Sequence, residues 1–393
     1  MNTIQKQLID VLRSFATGTK VKLNITDAEK EQLFALSKKH SVAGVVAYTL
    51  GLCDTAVQGE VEVKFAREYE RTVMQMLSRE ASALNICKKL TEMDIPHILF
   101  KGMTVSEAYP VPQLRAFADV DIIVSKSYLS DIRRYMEANG FKHTLADEGV
   151  VNAFKRGRER YEFHNTLNVF NAKETEYFSN VWDNTVVMQG KTLRFNHNFH
   201  LCYLICHLEK HVYGSGAGVR MYLDIALYLK KYKDDIDIEF VRETMAFCGL
   251  EQFLNTILYV CNRWFGCELP SWVKPLEEEI YSQLCDFVFS GGVFGNQDKK
   301  EVFQEDLRRE MSSGKRGAKL RFFISRVFPT PSELYRMFPK FEKKPVLLPV
   351  AWACHVGSVI KNRKLSNIKT IISADSQTAE RKKEFLSSIG SRR

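Results

Sequence analysis

The amino-acid sequence predicts an α+β protein, in which a small mixed β-sheet core is flanked along the chain by helical regions. Three observations predict this class. Apolar residues recur at helical spacing over the first 93 residues, short apolar runs alternate with turn residues over about 95–170, and helical spacing returns from His197. The predicted divisions are an N-terminal helical region (1–93), a core (94–190), a helical domain (191–290), a C-terminal helical extension (291–360) and a basic tail (361–393).

The N-terminal region is predicted to contain helices only. Thr26 and Glu29 form a capping-box pattern at the start of a helix pair that ends at Gly51. Over 61–93, apolar residues three or four positions apart predict a helix of about thirty residues. No strand is therefore expected before residue 94.

The core is predicted to run strand, helix, strand, helix, strand, strand. A buried strand over 95–100 is broken by Lys101 and Gly102, and a short helix over 103–109 ends before Pro110. The remaining elements are a strand over 119–124, a helix over 127–139, and strands over 141–145 and 161–169.

The C-terminal half is predicted to be helical over 197–213, 219–233, 238–248, 251–265 and 275–288, with a loop or linker over 290–317. The apolar stretch 346–360 is shorter than the roughly 20 residues of a membrane-spanning helix, so a core helix is expected, with an interfacial anchor as the alternative. The tail over 361–393 holds nine Lys/Arg against three Asp/Glu, a net charge of +6. We expect a solvated, poorly ordered end; contact with nucleic acid or an anionic membrane is the alternative.

Composition is that of a soluble globular protein, with 45% hydrophobic and 26% charged residues. Nine cysteines without CxxC pairs favour reduced thiols, so neither disulfides nor a zinc site are expected. The N-terminal stretch has the pattern of an amphipathic helix and not of a secretory signal, which predicts a cytoplasmic protein. No GxxxxGK[ST], GxSxG or GxGxxG occurs with suitable flanks, which argues against P-loop, hydrolase and Rossmann functions.

Asp119 and Asp121 are the residues that most clearly indicate chemistry. On a strand, side chains two residues apart share a face, so both carboxylates are expected together at the edge of the sheet. Neighbouring carboxylates repel unless a cation lies between them, and such oxygen ligands suit Mg²⁺ or Mn²⁺. Asp121→Asn is therefore expected to leave the metal-free fold intact or slightly more thermostable. The alternative is that this Asp-x-Asp only opens a strand at a solvated turn.

Lys101 and Gly102 indicate a phosphate site between the first strand and the following helix. A glycine lets the backbone approach a ligand closely, and the start of a helix presents free backbone N–H groups.

These motifs, in this order, resemble the uncharacterised nucleotidyltransferase family of the polymerase-β-like superfamily. Its pattern is a lysine and a glycine after a strand, Tyr-Pro, an arginine, and Asp-x-Asp followed by apolar residues. The matching residues here are Lys101-Gly102, Tyr109-Pro110, Arg115 and Asp119-Val-Asp-Ile-Ile-Val124. The resemblance extends to Leu36–Ala43, Tyr161–Leu167, His207–His211, Arg220–Asp224 and Phe328–Tyr335.

The resemblance implies that residues 94–190 are a nucleotidyltransferase core with three catalytic, metal-holding carboxylates: Asp119, Asp121 and Glu162. Asp147 and Glu148 compete with Glu162, but Glu162 is expected on a strand, with His164 on the same face. The nucleotide-binding candidates are Lys101, Gly102, Arg115, His164, His207, His211 and Arg220, with Asp224 as a further residue of the cleft.

Two of these assignments have alternatives. Arg115 could bind phosphate, brace the carboxylates, or form a surface ion pair. His207 and His211 lie four residues apart on one predicted helix face, but the glutamate between them lacks the order of a zinc-peptidase motif. A place in the cleft or between helices is expected for them.

The leading hypothesis is a nucleotidyltransferase that needs Mg²⁺ or Mn²⁺ and transfers a nucleoside monophosphate from a triphosphate to a hydroxyl of a protein, sugar or RNA. The second hypothesis is a catalytically inactive binding or regulatory module of the same fold, such as an antitoxin-like partner or an accessory factor in polysaccharide assembly. The intact Asp119/Asp121 pair favours catalysis. The Lys101-Gly102-Met103 sequence, in place of the superfamily's Gly-Ser, favours the second hypothesis.

Overall fold

The structure is a computed structural model that describes residues 1–54, 59–146, 151–167, 169, 171–214, 216–292, 348–350, 352 and 376–391. The chain divides into two compact units, one of residues 1–295 with 389–393 and the other of residues 296–388. Two predicted segments lie almost entirely outside the described residues, namely the linker over 290–317 and the helix over 346–360. The competing carboxylates Asp147 and Glu148 also lie outside them. In the second unit, a helix covers Ser376–Ser388, within the tail predicted to be poorly ordered.

Four helices precede the sheet, as the sequence predicts. They are α1 (Thr3–Thr17), α2 (Asp27–Lys39), α3 (Ala43–Thr49) and α4 (Glu60–Glu92). The capping box at α2 is confirmed, because the Thr26 side chain accepts from the backbone of Glu29 and the Glu29 carboxylate accepts from the backbone of Thr26. The long helix is also confirmed, with 33 residues in α4.

Within the described residues, seven strands form one mixed sheet in the order β3-β4-β5-β2-β1-β7-β6. They are β1 (His97–Phe100), β2 (Val120–Val124), β3 (Lys142–Ala146), β4 (Val151–Arg156), β5 (Glu159–His164), β6 (Thr185–Gln189) and β7 (Thr192–Phe195). Three short helices connect them: α5 (Gly102–Ser106), α6 (Leu129–Ala138) and α7 (Ala172–Tyr177). The mixed sheet between helical segments confirms the predicted α+β class.

Five helices follow the sheet: α8 (His197–Tyr213), α9 (Val219–Lys231), α10 (Ile238–Phe247), α11 (Glu251–Phe265) and α12 (Glu278–Ser290). All five were expected, and the bounds of α8 and α11 agree with the sequence to the residue. Among the described residues, no helix combines the length and the apolar character needed to cross a bilayer.

The two faces of the sheet pack against different helices. On one face, Leu99, Ile122 and Phe163 share an apolar cluster with residues of α4 and α6. On the other face, the Phe100 ring lies 5.7 Å from the Tyr203 ring of α8. Because side chains alternate along a strand, Asp121 between the buried Val120 and Ile122 must point to the α8 face. The alternation therefore turns the carboxylates toward the helices that follow the sheet.

Three strands have no counterpart among those that the sequence predicts: β4, β6 and β7. β6 is an edge strand whose Val187 is 69% exposed, so it lacks the alternation of a strand with one buried face. β7 has only four residues. β2 begins at Val120, so Asp119 precedes the strand, and β5 ends at His164 and not near 169.

Candidate active site

A cleft of about 210 Å³ lies between one end of the central strands and helices α8 and α9. The sheet side contributes the carboxylates of Asp119, Asp121 and Glu162, and the helices contribute two imidazoles, the Arg220 guanidinium and the Asp224 carboxylate. The charged and polar side chains that line it are Lys101, Arg115, Asp119, Asp121, Glu162, His207, His211, Arg220 and Asp224. Gly102 also lines the cleft, so nine of the ten site residues that the sequence nominates lie together here.

Strand register explains why two of the carboxylates meet. β2 pairs antiparallel with β1, which places Asp121 opposite Phe100 and next to the residue that follows β1, Lys101. On its other side β2 pairs parallel with β5, which places Asp121 beside Glu162. Residues paired in this way project to the same face of the sheet. The pairing of β2 with β5 thus joins residues 41 positions apart in the sequence.

Asp121 is buried and forms two short contacts. Its Oδ1 accepts from Lys101 Nζ at 2.8 Å and lies 3.0 Å from His164 Nε2. Burial alone would raise the pKa of Asp121, but the Lys101 charge and the His164 hydrogen bond outweigh it and lower the pKa to about 2. Asp121 is therefore an ionised, paired carboxylate at neutral pH.

Asp119 is in the opposite electrostatic situation. Burial raises its pKa above the usual 3.8, and the negative charge of Asp121 raises it further. Lys101 and Arg79 oppose this rise only in part. The strain predicted for two neighbouring carboxylates therefore falls on Asp119. The expectation that Asp121→Asn leaves the metal-free fold unharmed assumed that Asp121 is unpaired. In the structure Asp121 already has a cationic partner, Lys101.

His164 lies behind the carboxylates and is the one nominated residue that does not line the cleft. Its Nε2 is 3.7 Å from Glu162 Oε2 and also contacts Asp121, and ligand atoms of these three residues lie within 4.8 Å of one another. Burial lowers the pKa of His164, so the imidazole is neutral at pH 7 and its Nε2–H donates to Asp121. Within the described part of the chain, His164 Nδ1 has no hydrogen-bond partner.

Arg115 forms a buried network and not the surface ion pair that was one alternative. Its Nε and Nη2 donate to the two carboxylate oxygens of Asp224 at 3.1 and 2.9 Å. Tyr109 also donates its hydroxyl to Asp224, at 2.7 Å. All three side chains are buried. A bidentate pair of this kind fixes geometry, so the network anchors the segment before β2 onto α9.

Arg220 is a cation of a different kind. Its guanidinium donates to the backbone carbonyl of Ala116, and no described carboxylate lies within ion-pair distance of it. Burial lowers the pKa of Arg220, and the neighbouring Arg115 lowers it further. Its Nε is buried without a hydrogen-bond partner among the described residues. Arg220 therefore carries a charge on the cleft wall that an anion could neutralise.

His207 and His211 form a neutral pair on α8. Their Nε2 atoms lie 3.2 Å apart, and the two rings meet edge to face. Burial lowers both pKa values, that of His211 to about 4 and that of His207 well below its usual range. The i, i+4 spacing places both rings on the side of α8 that faces the sheet. At pH 7 they offer hydrogen bonds without charge.

Gly102 is required for a reason that the sequence did not indicate. A Cβ at this position would lie 2.8 Å from the Phe117 ring, so the close neighbour is a side chain of the β2 approach segment. Lys101 itself has a φ of 55°, which is rare for a residue other than glycine. From this backbone position the Lys101 side chain reaches Asp121.

A family model described as an uncharacterised nucleotidyltransferase matches residues 26–266 of the chain. The chain belongs to this family. A search of curated proteins and a search of solved structures each found no match. The predicted resemblance is confirmed over the matched residues, and the segment Phe328–Tyr335 lies outside both the match and the described residues.

Membership of the nucleotidyltransferase family supports a general nucleotidyltransferase activity and a nucleoside triphosphate as substrate. Enzymes of this kind usually use a divalent cation. The residues present suit one, since carboxylate oxygens of Asp121 and Glu162 lie within 4.8 Å of each other and Asp119 lines the same cleft.

Three further residues shape the site without a signal in the sequence. Arg79 of α4 acts on the charge of Asp119, Phe117 fills the space above Gly102, and Tyr203 of α8 packs on Phe100. In the sequence, Arg79 is one charge on a long amphipathic helix, and the two aromatic residues resemble ordinary core residues. Only the tertiary packing distinguishes them.

Proposed function

We propose that this nucleotidyltransferase depends on Mg²⁺ or Mn²⁺ and transfers a nucleoside monophosphate from a triphosphate to a hydroxyl of an acceptor. The observation that carries the proposal is the position of Asp119, Asp121 and Glu162 on one wall of a cleft whose other wall holds Arg220. The carboxylates can bind a metal, and the arginine opposite them has no carboxylate partner among the described residues and can bind phosphate. This arrangement suits a substrate that arrives as a metal–phosphate complex.

Charge balance supports the need for a metal. Among the described residues that line the cleft, four carboxylates oppose one lysine and two arginines, a net charge of −1 with the histidines neutral. A nucleoside triphosphate brings roughly four negative charges. Without additional cations the cleft would repel its substrate, and oxygen-only ligands select hard divalent ions.

In the proposed reaction the acceptor oxygen bonds to the α-phosphorus, the α–β phosphoanhydride bond breaks, and pyrophosphate leaves. Asp119, Asp121 and Glu162 would hold the metal, which when bound would spread the negative charge of the phosphates and acidify the hydroxyl. Glu162, with a side chain that is 30% exposed, is positioned to take the proton from the acceptor hydroxyl. His164 would keep Asp121 in orientation and not contact the nucleotide.

The phosphates would lie against the cationic residues of the cleft. Arg220 offers its charge directly to the phosphates. Arg115 already donates two N–H groups to Asp224, so it would attract the phosphates mainly by long-range electrostatics and not by hydrogen bonds. Lys101 and Gly102 border the same space, and His207 with His211 would give uncharged hydrogen bonds to the nucleotide.

The test is incubation of the purified protein with each labelled triphosphate and Mg²⁺ or Mn²⁺, with and without cell extract as a source of acceptor. Label transfer with release of pyrophosphate is the expected result. The Glu162→Gln variant should lose transfer because the proton acceptor is removed, but it should still bind the nucleotide with metal, because Asp119, Asp121 and the cationic wall remain. Transfer at the wild-type rate by Glu162→Gln would remove this residue from the proposal.

An inactive binding module is the second candidate, and one observation favours it. Lys101 holds Asp121, the carboxylate that a metal would need, and Met103 stands where the superfamily has a serine. Nucleotide binding without label transfer to any component of the extract, with every base and both metals, would favour this candidate over catalysis.

A further inference from the structure

The contact between Lys101 and Asp121 has the features of an exchangeable pair. Only one Lys101 Nζ···Asp121 Oδ1 distance, 2.8 Å, joins the two charges, and the lysine side chain keeps 19% of its surface exposed. Lysine is a flexible point charge, in contrast to the rigid fork of an arginine. The ammonium group is therefore held at a single oxygen and keeps part of its side chain exposed toward the cleft.

The ammonium group contacts one of the two oxygens through which Asp121 could hold a metal. Lys101 Nζ and His164 Nε2 both contact Oδ1 of Asp121, and Glu162 lies beside them. The backbone at Lys101 is held in a sparsely populated conformation, with φ 55° and ψ −121°. Strain of this kind persists where the surrounding structure enforces it and is concentrated at functional sites.

We propose that Lys101 is a placeholder cation: it neutralises Asp121 while the metal site is empty, and it moves to the triphosphate when a divalent ion binds to Asp121. The inference rests on the proposed function. Oδ1 of Asp121 already accepts from both Lys101 and His164, so a divalent ion that binds this oxygen must displace one of them, and in the cleft the incoming phosphates are the new anion for the lysine. Metal binding and phosphate binding would then each favour the other, which is a coupling between two sites.

The placeholder role makes a prediction for binding that does not depend on turnover. Mn²⁺ alone must displace Lys101 in the wild type, but not in the Lys101→Met variant. The variant should therefore bind Mn²⁺ alone about tenfold more tightly in calorimetric titration, which is about 1.4 kcal/mol. Inorganic triphosphate should raise the Mn²⁺ affinity of the wild type, and this increase should be about tenfold smaller in the variant, because the lysine no longer links the two events.

Lys191 provides the matched control. Its Nζ also lies 2.8 Å from an aspartate, Asp94 Oδ1, but this pair is on the surface, with side-chain exposures of 44% and 83%. Lys191→Met removes the same charge at a distance from the cleft, so it should leave Mn²⁺ affinity and its dependence on triphosphate unchanged.

A measurement on the wild type avoids dependence on variant folding. An amine-acylating reagent with peptide mass spectrometry reports the reactivity of Lys101. Mn²⁺ alone should raise this reactivity at least about threefold by releasing the amine, and Mn²⁺ with inorganic triphosphate should lower it again. Reactivity of Lys191 should not respond.

The outcomes separate the inference from the function on which it rests. If wild type and Lys101→Met bind Mn²⁺ with equal affinity, or if Mn²⁺ leaves the reactivity of Lys101 unchanged, the placeholder role is wrong while the metal site stands. If neither protein binds Mn²⁺ with or without triphosphate, the proposed metal-dependent function is itself wrong.

Discussion

Two buried ion pairs border the same cleft, and they differ in construction. Arg115 and Asp224 share two hydrogen bonds, receive a third from Tyr109, and are each less than 9% exposed in their side chains. Lys101 and Asp121 share a single contact, and the lysine faces the cleft. The first pair uses both oxygens of its carboxylate internally, whereas the second places its carboxylate next to Asp119 and Glu162.

The difference indicates which charges are structural and which are exchangeable. Breaking a buried pair leaves an uncompensated charge, so a pair that is fully enclosed and bidentate is kept for geometry. Separation of a monodentate pair that lies beside further carboxylates costs less free energy, because another cation can replace the lysine. On this basis the Arg115–Asp224 pair is a brace and the Lys101–Asp121 pair is part of the chemistry.

The sharpest test of this division is the loss of transfer activity in Asp121→Asn. Removal of a metal-holding charge should lower the rate at least about 1,000-fold, which is about 4 kcal/mol. The control is Asp94→Asn, which neutralises the surface partner of Lys191 and should leave the rate unchanged. Initial rates of label transfer at saturating triphosphate decide the matter, and an Asp121→Asn rate within tenfold of wild type would contradict the assignment.

Arg115→Met should lower the free energy of unfolding by about 3 kcal/mol, because it leaves the Asp224 carboxylate buried without its bidentate partner. Arg133→Met is the matched control, since Arg133 and Glu137 form an exposed pair whose loss should change stability by less than about 1 kcal/mol. Urea denaturation measures both. Equal effects of the two substitutions would mean that the Arg115 network is not a brace.

Substitution of the two aspartates should change metal-free stability in opposite directions. Asp121→Asn should lower the free energy of unfolding by about 2 kcal/mol, because Lys101 loses a buried anionic partner and keeps only an amide oxygen. Asp119→Asn should raise it by about 1 kcal/mol, because burial and the charge of Asp121 disfavour the ionised form of Asp119. Thermal unfolding in the presence of a chelator tests the signs; destabilisation by both variants would disprove the asymmetry.

In acid, the free energies of unfolding of the same two variants should approach that of the wild type. Asp121 has a lowered pKa of about 2, so its stabilisation is present above the usual 3.8 and is lost as the pH falls toward 2. Asp119 has a raised pKa, so its unfavourable contribution is absent below 3.8 and grows as the pH rises through its value in the folded state. Urea midpoints from pH 3 to pH 7 should show both differences increasing with pH. A gap that is constant across this range would point to packing and not to charge.

Much of the fold follows from local patterns in the sequence. The 33-residue α4 and the helix α11 repeat their apolar residues along one stripe, whereas α8 is apolar on nearly all sides, and the bounds of all three could be predicted closely. The strands β6 and β7 could not, because a short edge hairpin takes its stability from pairing with β1 and not from its own alternation. Strand pairing is a tertiary property.

The candidate site shows the same limit. Motif order nominated Asp119, Asp121 and Glu162 for one cleft, and the structure brings all three there. What each neighbour does could not be predicted, since the roles depend on contacts across long stretches of sequence. Arg115 meets Asp224, 109 residues later, and Lys101 meets Asp121 only because β1 and β2 are antiparallel. For the Arg115–Asp224 pair, the one available signal in the sequence was that two residues of the family pattern carry opposite charges.

The pairing of β1 with β7 determines how this protein can be dissected. β7 covers Thr192–Phe195 and lies parallel beside β1, and Asp224 holds the segment before β2 from still further along the chain. A fragment that ends at residue 190 would leave one side of β1 as an unpaired sheet edge that is prone to self-association. It would also leave Arg115 without its carboxylate partner, Asp224. The smallest piece that preserves the cleft must extend through α9, so truncation studies and domain transplants should place their boundaries after Lys231.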